Sequence, residues 1–236
     1  MSAVNIEKVS FRYPGRDDWV LRDFSLNIPE HKVLAVIGKS GCGKSTLIRL
    51  ISGLLTPIKG QINIAPSQRV GVVFQDPRLL PWKTVFENVA LPIRNQSKTE
   101  QKKIVREVLD LVGLSHTETY YPLELSGGMA QRAALARALV QSPDILLMDE
   151  PFGALDAITR SQIQIDFESI QQHKKMTVLL ITHEVNEAVR LADRVTVLAN
   201  AQVLETLDIA LDHPRAVTNM QVVQYAAKVL NLLTHS

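Results

Sequence analysis

The sequence predicts an α/β fold built on a mainly parallel sheet. Short, uninterrupted apolar runs rich in branched side chains recur along the chain, and such runs are typical of strands buried on both faces. Segments with helical periodicity separate them, which is the alternation expected of parallel strands joined by helices. The length of 236 residues suits one large domain, or one domain with an inserted subdomain.

The N-terminal region predicts an antiparallel β region followed by the first buried strand. Residues 4–12 and 19–28 alternate apolar and polar side chains, as half-buried strands do, and a Pro-Gly pair between them marks a turn. Residues 33–37 form a continuous apolar run, and residues 44–54 then follow a helical period. This order predicts a strand–loop–helix unit of the core.

The middle of the chain predicts helices. After a strand candidate at residues 69–75, helical periodicity covers residues 84–93 and 99–112. An Ala- and Leu-rich helix then runs from Ser126 to about Val140. This nearly all-helical stretch predicts a subdomain inserted into the α/β core.

The last third of the chain returns to the core pattern. Buried-strand runs recur at residues 145–148, 178–181 and 195–198, and the tail has apolar residues at helical spacing. The predicted organisation is a core at residues 1–75 and 143–205, a helical subdomain at 76–142 and a C-terminal tail at 206–236.

Composition and charge exclude several classes of protein. Lys and Arg number 26 against 24 Asp and Glu, a net charge of +2 without a basic stripe, so no nucleic-acid partner is expected. The single cysteine, Cys42, excludes an internal disulfide and a multi-thiolate metal site. The sequence shows neither a signal-peptide core nor the roughly 18 apolar residues that span a bilayer. We therefore expect a cytoplasmic protein that meets a membrane only through a partner.

Residues 38–45, called the P-loop below, read Gly-Lys-Ser-Gly-Cys-Gly-Lys-Ser and match the pattern G-x-x-x-x-G-K-[ST]. Backbone N–H groups of such a loop bind phosphates at a helix N-terminus, while Lys44 reaches the terminal phosphates and Ser45 offers its hydroxyl to Mg²⁺. ATP and Mg²⁺ are the expected cofactors. The expected nucleotide contacts are Gly38, Ser40, Gly41, Cys42, Gly43, Lys44, Ser45 and Thr46.

Two carboxylates follow the buried strand at residues 145–148. Asp149 stands at the carboxyl end of that strand, where it can hold Mg²⁺ beside the P-loop. Glu150 comes one residue later and can face a water molecule in line with the γ-phosphate. An acidic pair at a strand end is common by itself; only its combination with the P-loop predicts ATP hydrolysis.

A second anion-binding nest lies far from the P-loop in sequence. The signature segment, residues 125–129, reads Leu-Ser-Gly-Gly-Met and places Ser126 at a helix start. This segment resembles the signature of the ABC (ATP-binding cassette) family, which begins Leu-Ser-Gly-Gly. The resemblance covers roughly residues 4 to 205 and implies a P-loop NTPase core. Further matches in the family's order are Tyr13, Gln75, Asp156 and His183.

The resemblance implies a role for each of these residues around one nucleotide. Tyr13 is expected to stack on adenine, and Gln75 to contact Mg²⁺ and the attacking water. His183 is expected to bind the γ-phosphate as a switch. Together with Glu150, Gln75 and His183 are the expected catalytic residues, and Ser45, Gln75 and Asp149 the expected metal ligands.

The resemblance also implies a dimer. Ser126 and Gly128 are expected to contact the γ-phosphate bound to the opposite protomer, and Asp156 to help join the two ATP sites. One P-loop and one signature per chain then require two copies packed head to tail.

A narrower resemblance concerns the transported solute. Residues 74–82, Phe-Gln-Asp-Pro-Arg-Leu-Leu-Pro-Trp, resemble importers of the nitrate, sulfonate and taurine type, and thiamine-precursor importers share much of this stretch. This implies an ATPase subunit on the cytoplasmic face of a membrane, with permease subunits and, indirectly, a solute-binding protein as partners. Leu79, Leu80 and Trp82 either line a groove for the permease or belong to the subdomain core.

Other ABC classes remain open alternatives. An ABC ATPase of envelope lipid or lipoprotein traffic would share the same motifs. ABC ATPases of DNA repair or translation usually carry coiled-coil insertions, zinc cysteines or a second cassette, and the sequence has none of these. A final expectation concerns Cys42, since a helix N-terminus between Lys39 and Lys44 favours a thiolate that alkylating reagents attack and Mg-ATP protects.

Overall fold

The computed structural model describes residues 2–216 and 218–234. The strands are β1 (Ser2–Phe11), β2 (Leu21–Pro29), β3 (Val33–Gly38), β4 (Lys59–Ile64), β5 (Val70–Val73), β6 (Ile145–Asp149), β7 (Thr177–Thr182), β8 (Arg194–Ala199) and β9 (Gln202–Asp208). The α-helices are α1 (Lys44–Ile51), α2 (Val85–Ala90), α3 (Lys98–Leu111), α4 (Gly127–Leu139), α5 (Ala157–Lys174), α6 (Val185–Leu191) and α7 (Met220–Thr234).

The larger sheet has six strands in the order β5-β6-β7-β3-β8-β9. All neighbours are parallel except β8 and β9, so the predicted α/β fold with a mainly parallel sheet is confirmed. Every residue of β3 and β7 is buried, because helices cover one face of the sheet and α1 with strand β2 of the smaller sheet covers the other. The carboxyl ends of β3, β6 and β7 lie side by side at one end of the sheet. Ligands bind at this end in open α/β sheets.

The smaller sheet is antiparallel, with the order β2-β1-β4. Ile6 pairs with Leu26 on one side and with Ile62 on the other. The N-terminal antiparallel region was therefore expected, but β4 was not, because its residues are mostly exposed and only two of them, Ile62 and Ile64, are apolar.

The region between β5 and β6 holds α2, α3 and α4, but it is less uniformly helical than expected. Residues 76–83 contain no helix and form a loop that leads from the core into α2. Helix α4 contacts α2 and α3 on one side and β5 and α5 on the other. A Cβ on Gly71 of β5 would lie 3.0 Å from the carbonyl oxygen of Ala138, so this strand and α4 pack closely. Helix α4 thus joins the helical region to the core.

The C-terminal segment packs on the core. The expected boundary at residue 205 falls inside β9, which extends the sheet as an antiparallel edge strand. Arg215 is buried and donates hydrogen bonds to the carbonyl groups of Val189 and Ala192 at the end of α6. Val222 and Val229 of α7 are buried, and α7 contacts α6.

Within residues 2–216 and 218–234, no helix is both long enough and apolar enough to cross a membrane.

Candidate nucleotide-binding site

The P-loop connects β3 to α1 through two positions that only glycine fits. A Cβ on Gly38 would lie 2.4 Å from the carbonyl oxygen of Leu198 and 2.7 Å from Sγ of Cys42. Gly43 has φ 104°, and a Cβ there would lie 2.8 Å from the carbonyl oxygen of Val20. The loop therefore sits tightly against β8 and the start of β2, which fixes the position of the first turn of α1.

The first turn of α1 offers donors to an anion. Gly43 provides no side-chain cap, and the turn contains no acidic residue. Lys44 is 6% exposed, and its Nζ donates to the carbonyl oxygens of Gly38 at 2.7 Å and Lys39 at 3.1 Å. The ammonium group therefore lies inside the loop, at the place where a bound phosphate chain would take over as its partner.

Cys42 does not have the acidic thiol that the sequence predicted. Burial raises the pKa of the Cys42 thiol, and this effect outweighs the attraction of the Lys44 ammonium group. The thiol is half-buried, with Nζ of Lys44 at 3.9 Å from Sγ. Desolvation of the charged form is the reason that the expectation of a thiolate is wrong.

Ser45 and Asp149 meet at the sheet edge. Oγ of Ser45 donates to Oδ1 of Asp149 at 3.1 Å, so α1 and β6 bring two oxygen ligands together. Burial raises the pKa of Asp149, the hydrogen bond from Ser45 lowers it, and the Glu150 carboxylate raises it further. A hard cation would offset the cost of burying the charge of Asp149 and its repulsion by Glu150, so the Ser45–Asp149 pair fits Mg²⁺. In the part of the chain that the structure describes, no three His, Cys, Asp or Glu side chains gather around a metal site, which suits a cation held largely by phosphate and water.

Glu150 and His183 form a pair beside this oxygen cluster. Oε2 of Glu150 lies 3.0 Å from Nδ1 of His183. Glu150 adopts φ 45°, in the left-handed region, and its backbone N–H donates to the carbonyl oxygen of Ile181 at 2.9 Å. This backbone geometry turns the side chain out of the strand direction and toward the residue that follows β7. A strained conformation of this kind at a strand end is typical of functional positions.

Gln75, two residues after the end of β5, lies beside the turn that begins with Glu150. A Cβ on Gly153 would lie 3.7 Å from Nε2 of Gln75 and 3.5 Å from the carbonyl oxygen of Glu150. Gln75 therefore lies beside the turn that begins with Glu150, whose side chain meets His183, and the Ser45–Asp149 pair precedes that turn.

Tyr13 stands on the other side of α1. Its hydroxyl lies 3.1 Å from Oγ1 of Thr46 and accepts a hydrogen bond from Arg49 at 3.1 Å. Its ring packs edge-on against Phe11 at 5.2 Å between centroids. Arg49, which the sequence reasoning missed, thus helps to fix the ring; only its place on the helix after the P-loop could have suggested it.

A cleft of about 480 Å³ runs along the outer side of the P-loop. Trp19 and Asn200 line it together with Lys39, Ser40 and Cys42. Neither Trp19 nor Asn200 belongs to a motif, so no sequence signal pointed to them.

The remaining predicted residues form a second group at the starts of α4 and α5. Ser126 caps α4 by accepting a hydrogen bond from the N–H of Met129 at 3.3 Å. Asp156 caps α5 by accepting from the N–H groups of Ile158 and Thr159, and these bonds lower the pKa of Asp156. Gly128 joins the two helices, since a Cβ there would lie 2.4 Å from Cγ2 of Thr159.

Gly127 and Gly128 therefore differ in the space around them. Nothing lies within 4 Å of a Cβ placed on Gly127, whereas Gly128 is buried against α5. The expected phosphate contact of Gly128 would be made by its backbone. Ser126 and Gly127 form the exposed part of the signature segment.

Sequence comparison finds close relatives across most of the chain. A family model described as ABC transporter matches residues 21–153. The aliphatic sulfonates import ATP-binding protein SsuB 1 of Agrobacterium fabrum is 45% identical over 218 residues, covering 92% of this chain and 79% of that protein. The nitrate import ATP-binding protein NrtC of Synechococcus elongatus is 44% identical over 87% of this chain and 33% of its own length.

Solved structures share the fold. The ATP-binding cassette MJ0796, in a dimeric post-hydrolysis state bound to ADP and phosphate, superposes with a TM-score of 0.79 at 30% identity, covering 89% of this chain and 100% of that one. The protein cbiO1 from Clostridium perfringens, part of the ABC transporter complex cbiONQ, gives a TM-score of 0.82 at 25% identity, covering 97% and 92%.

Proposed function

Because this chain belongs to the ABC transporter ATP-binding family, we propose that it is the ATP-hydrolysing subunit of an importer for a small organic or inorganic anion. The observation that carries the proposal is the meeting of the P-loop, the Ser45–Asp149 pair and the Glu150–His183 pair at one edge of the parallel sheet. Relatives named for sulfonate and nitrate import make sulfonates, taurine and nitrate the first solutes to test.

Each group has a separate task in ATP hydrolysis. The P-loop N–H groups and Lys44 bind the triphosphate, and Tyr13 supports the base. Ser45 and Asp149, with Gln75, would hold Mg²⁺, which supplies charge neutralisation on the phosphate oxygens when bound. Catalysis by such sites consists of positioning and charge stabilisation.

Glu150 and His183 act on the water and on the γ-phosphate. The Glu150 carboxylate orients the attacking water and accepts its proton. Nδ1 of His183 donates a hydrogen bond to Oε2 of Glu150 at 3.0 Å, which fixes the imidazole ring so that its other nitrogen can face the γ-phosphate.

The site is completed by a second copy of the chain. Ser126 and Gly127 lie at an exposed helix N-terminus, and their neighbours lie on α4 and α5 rather than in the P-loop. Two copies packed about a twofold axis would place each such terminus over the partner's nucleotide, giving two composite sites. The dimeric cassette structures that this chain resembles support this arrangement.

A permease is the second partner. Trp82 is 70% exposed, and the next residue, Lys83, is the first of those that line a groove of about 720 Å³ beside α2 and α3. Phe86, Ala90 and Leu91 provide its apolar floor, and basic side chains such as Arg94 line its rim. Such a groove fits a short amphipathic helix with acidic residues from a membrane subunit, which would hold the chain on the cytoplasmic face of the membrane. A solute-binding protein would deliver the anion to that permease.

Substitution of Glu150 tests the hydrolytic role. Glu150→Gln keeps the size and hydrogen-bonding capacity of the side chain but removes its charge, so ATP hydrolysis should fall by about 10²–10⁴-fold. ATP affinity, measured by fluorescence of a labelled nucleotide, should stay near that of the parent chain. Glu205→Gln, on the exposed strand β9, is the matched control and should change neither quantity.

Uptake measurements test the solute. Proteoliposomes that contain the chain with its permease, with ATP enclosed and the solute-binding protein added outside, should accumulate labelled taurine or nitrate, and the Glu150→Gln complex should not. Transport of a thiamine precursor alone would contradict the anion assignment, and hydrolysis by Glu150→Gln at the parent rate would remove Glu150 from the mechanism.

A further inference from the structure

A layer of buried polar side chains lies between α5 and α6, outside the residues assigned to nucleotide binding. Gln164 and Glu187 are 5% and 6% exposed. Nε2 of Gln164 donates to Oε2 of Glu187 at 3.1 Å, and Arg190 donates to Oε1 of Gln164 at 3.1 Å. Burying a polar side chain costs folding free energy unless the side chain is hydrogen-bonded, and hydrogen-bonded buried networks hold their members in one arrangement. We therefore asked what this layer holds in place.

Arg160 connects this layer to the turn 150–156, which runs from the end of β6 to the cap of α5. Its NH2 donates to the carbonyl oxygen of Leu155 at 2.9 Å. The turn itself is closed by backbone hydrogen bonds from Gly153 to Glu150 and from Leu155 to Phe152. Arg160 therefore holds the far end of the turn that begins with Glu150.

The same guanidinium reaches the residue after His183. NH1 of Arg160 lies 3.6 Å from Oε1 of Glu184, and the backbone N–H of Glu184 donates to Oγ1 of Thr182 at 3.0 Å. Two different nitrogens of one side chain thus contact the turn 150–156 and the segment that carries His183. The planar guanidinium group suits such a bridge, because its donors point in fixed directions.

The layer also contains three buried atoms without a hydrogen-bond partner among the described residues. They are Nε of Arg160, Oε1 of Glu187 and Nε of Arg190. Donors and an acceptor grouped in this way fit one or two buried waters, which would extend the bridge from Arg160 to Glu187.

We propose that Arg160 is a positioning residue for ATP hydrolysis, which fixes the turn bearing Glu150 and Asp156 against the segment bearing His183. The proposal deepens the function proposed above and rests on it. Arg160 touches neither nucleotide nor water; it acts by keeping the Glu150 carboxylate and the His183 ring in the relative position that the reaction needs. Errors of about an ångström in such a geometry cost up to about 100-fold in rate.

The test compares kcat with nucleotide affinity in the purified full-length chain. Arg160→Gln should lower kcat by about tenfold or more, whereas the Kd for ATP should change by less than about twofold, since the P-loop is untouched. Arg160→Lys keeps the charge but cannot hold both partners in the same directions, so its kcat should lie between those of Arg160→Gln and the parent.

Two further variants separate positioning from general destabilisation. Arg69 forms a similar ion pair, with its Nε 3.7 Å from Oδ2 of Asp144, at the amino ends of β5 and β6. Arg69→Gln breaks this pair far from the nucleotide site and should leave kcat unchanged. Glu184→Gln breaks the contact with Arg160 and also removes a carboxylate 4.0 Å from Nε2 of His183, so it should lower kcat in the same sense as Arg160→Gln. The fall in kcat of the double variant should be smaller than the product of the two single effects, because the two changes share one contact.

The outcomes distinguish the two proposals. If the parent chain does not hydrolyse ATP, the proposed function fails. If the parent is active and Arg160→Gln matches it, or if Arg69→Gln falls equally, only the role of Arg160 is overturned. Should Arg160→Gln fail to fold, Arg160→Lys decides, because it keeps the charge and most of the side-chain volume: a lowered kcat at an unchanged Kd supports the proposal and the parent's kcat refutes it.

Discussion

The Glu187 carboxyl group lies inside the layer between α5 and α6, where burial raises its pKa to about 7 from an ordinary value of 4.5. Gln164 donates a hydrogen bond to it, and of the nearby charges Arg160 lowers its pKa and Glu184 raises it. The folded chain therefore keeps a proton on Glu187 at pH values where the unfolded chain has released it. The stability that this group contributes is fully present below about pH 4.5 and is lost as the pH rises to about 7.

Glu187→Gln should remove that part of the pH dependence. The free energy of unfolding of the parent, measured by urea titration, should fall between pH 5 and pH 8 by on the order of 2–3 kcal/mol more than that of the variant. Glu205→Gln, which removes an exposed carboxylate, should retain the parent's slope. Parallel curves for the parent and Glu187→Gln would contradict a protonated Glu187 at neutral pH.

Cys42 gives a second prediction for a single residue. Because burial raises its pKa, iodoacetamide should modify it at pH 7 more slowly than a cysteine in an unstructured peptide, and the rate should rise steeply toward alkaline pH. Mg-ATP should slow the reaction further, since Cys42 lies in the P-loop. Mass spectrometry of the intact chain measures this directly, and Cys42→Ser should take up no label. Modification faster than that of the peptide would restore the thiolate hypothesis.

At the scale of elements, the contact between α4 and α5 depends on Gly128. Gly128→Ala would force a Cβ to within 2.4 Å of Cγ2 of Thr159, so it should lower the free energy of unfolding by about 1–3 kcal/mol. Gly127→Ala, with open space around it, should be neutral or stabilise by up to about 1 kcal/mol. Urea unfolding of both variants provides the measurement.

A compensating change sharpens this prediction. Thr159→Ser removes Cγ2 and keeps the hydroxyl, so the double variant Gly128→Ala with Thr159→Ser should recover most of the lost stability. Equal effects of alanine at positions 127 and 128 would show that helix propensity, and not the approach of α5, governs the segment.

The elements that the sequence predicted are those with strong apolar patterns. Strands β3, β6 and β7 are buried along their length, so their runs of branched residues were readable. Strands β4 and β9 lie at sheet edges with mostly exposed side chains, and edge strands carry little alternation. Helix α6 has only seven residues and is buried on several sides, so no amphipathic period marked it.

At the scale of the whole molecule, Trp82 lies on the surface that we propose for the permease. Its ring is 70% exposed, which removes it from the subdomain core, whereas Leu79 packs against the core. Trp82→Ala should weaken copurification with the permease and change the free energy of unfolding by less than about 0.5 kcal/mol. Leu79→Ala is the contrast, because it should reduce stability by about 1 kcal/mol or more.

ATP binding by the isolated chain provides the control for Trp82→Ala. It should be unchanged, since the P-loop lies on the core and Trp82 lies in the loop that leads to α2. A Trp82→Ala chain that assembles with the permease as well as the parent does would shift the docking surface elsewhere.

The arrangement of the site could be predicted only in part. The P-loop and the carboxylate pair predicted Ser45 near Asp149, whereas only the family resemblance implied that Glu150 and His183 act on the same nucleotide. It could not show that Gly128 is buried by Thr159 or that Arg49 holds Tyr13, since those contacts depend on how helices pack. Nor did any local pattern indicate Arg215, which donates to the carbonyl groups of Val189 and Ala192, 26 and 23 residues away in sequence.

The inward position of Lys44 has a consequence for selectivity among anions. Its ammonium group already has two carbonyl partners, so an entering anion exchanges one set of hydrogen bonds for another and gains only the difference. A free sulfonate or nitrate ion brings a single small charged group to this exchange. ATP brings three linked phosphates and a base, whose combined contacts favour opening of the loop. The nucleotide-free protein should therefore discriminate against sulfonate and nitrate, the solutes proposed for its transporter, and remain available to nucleotide when their concentration is high.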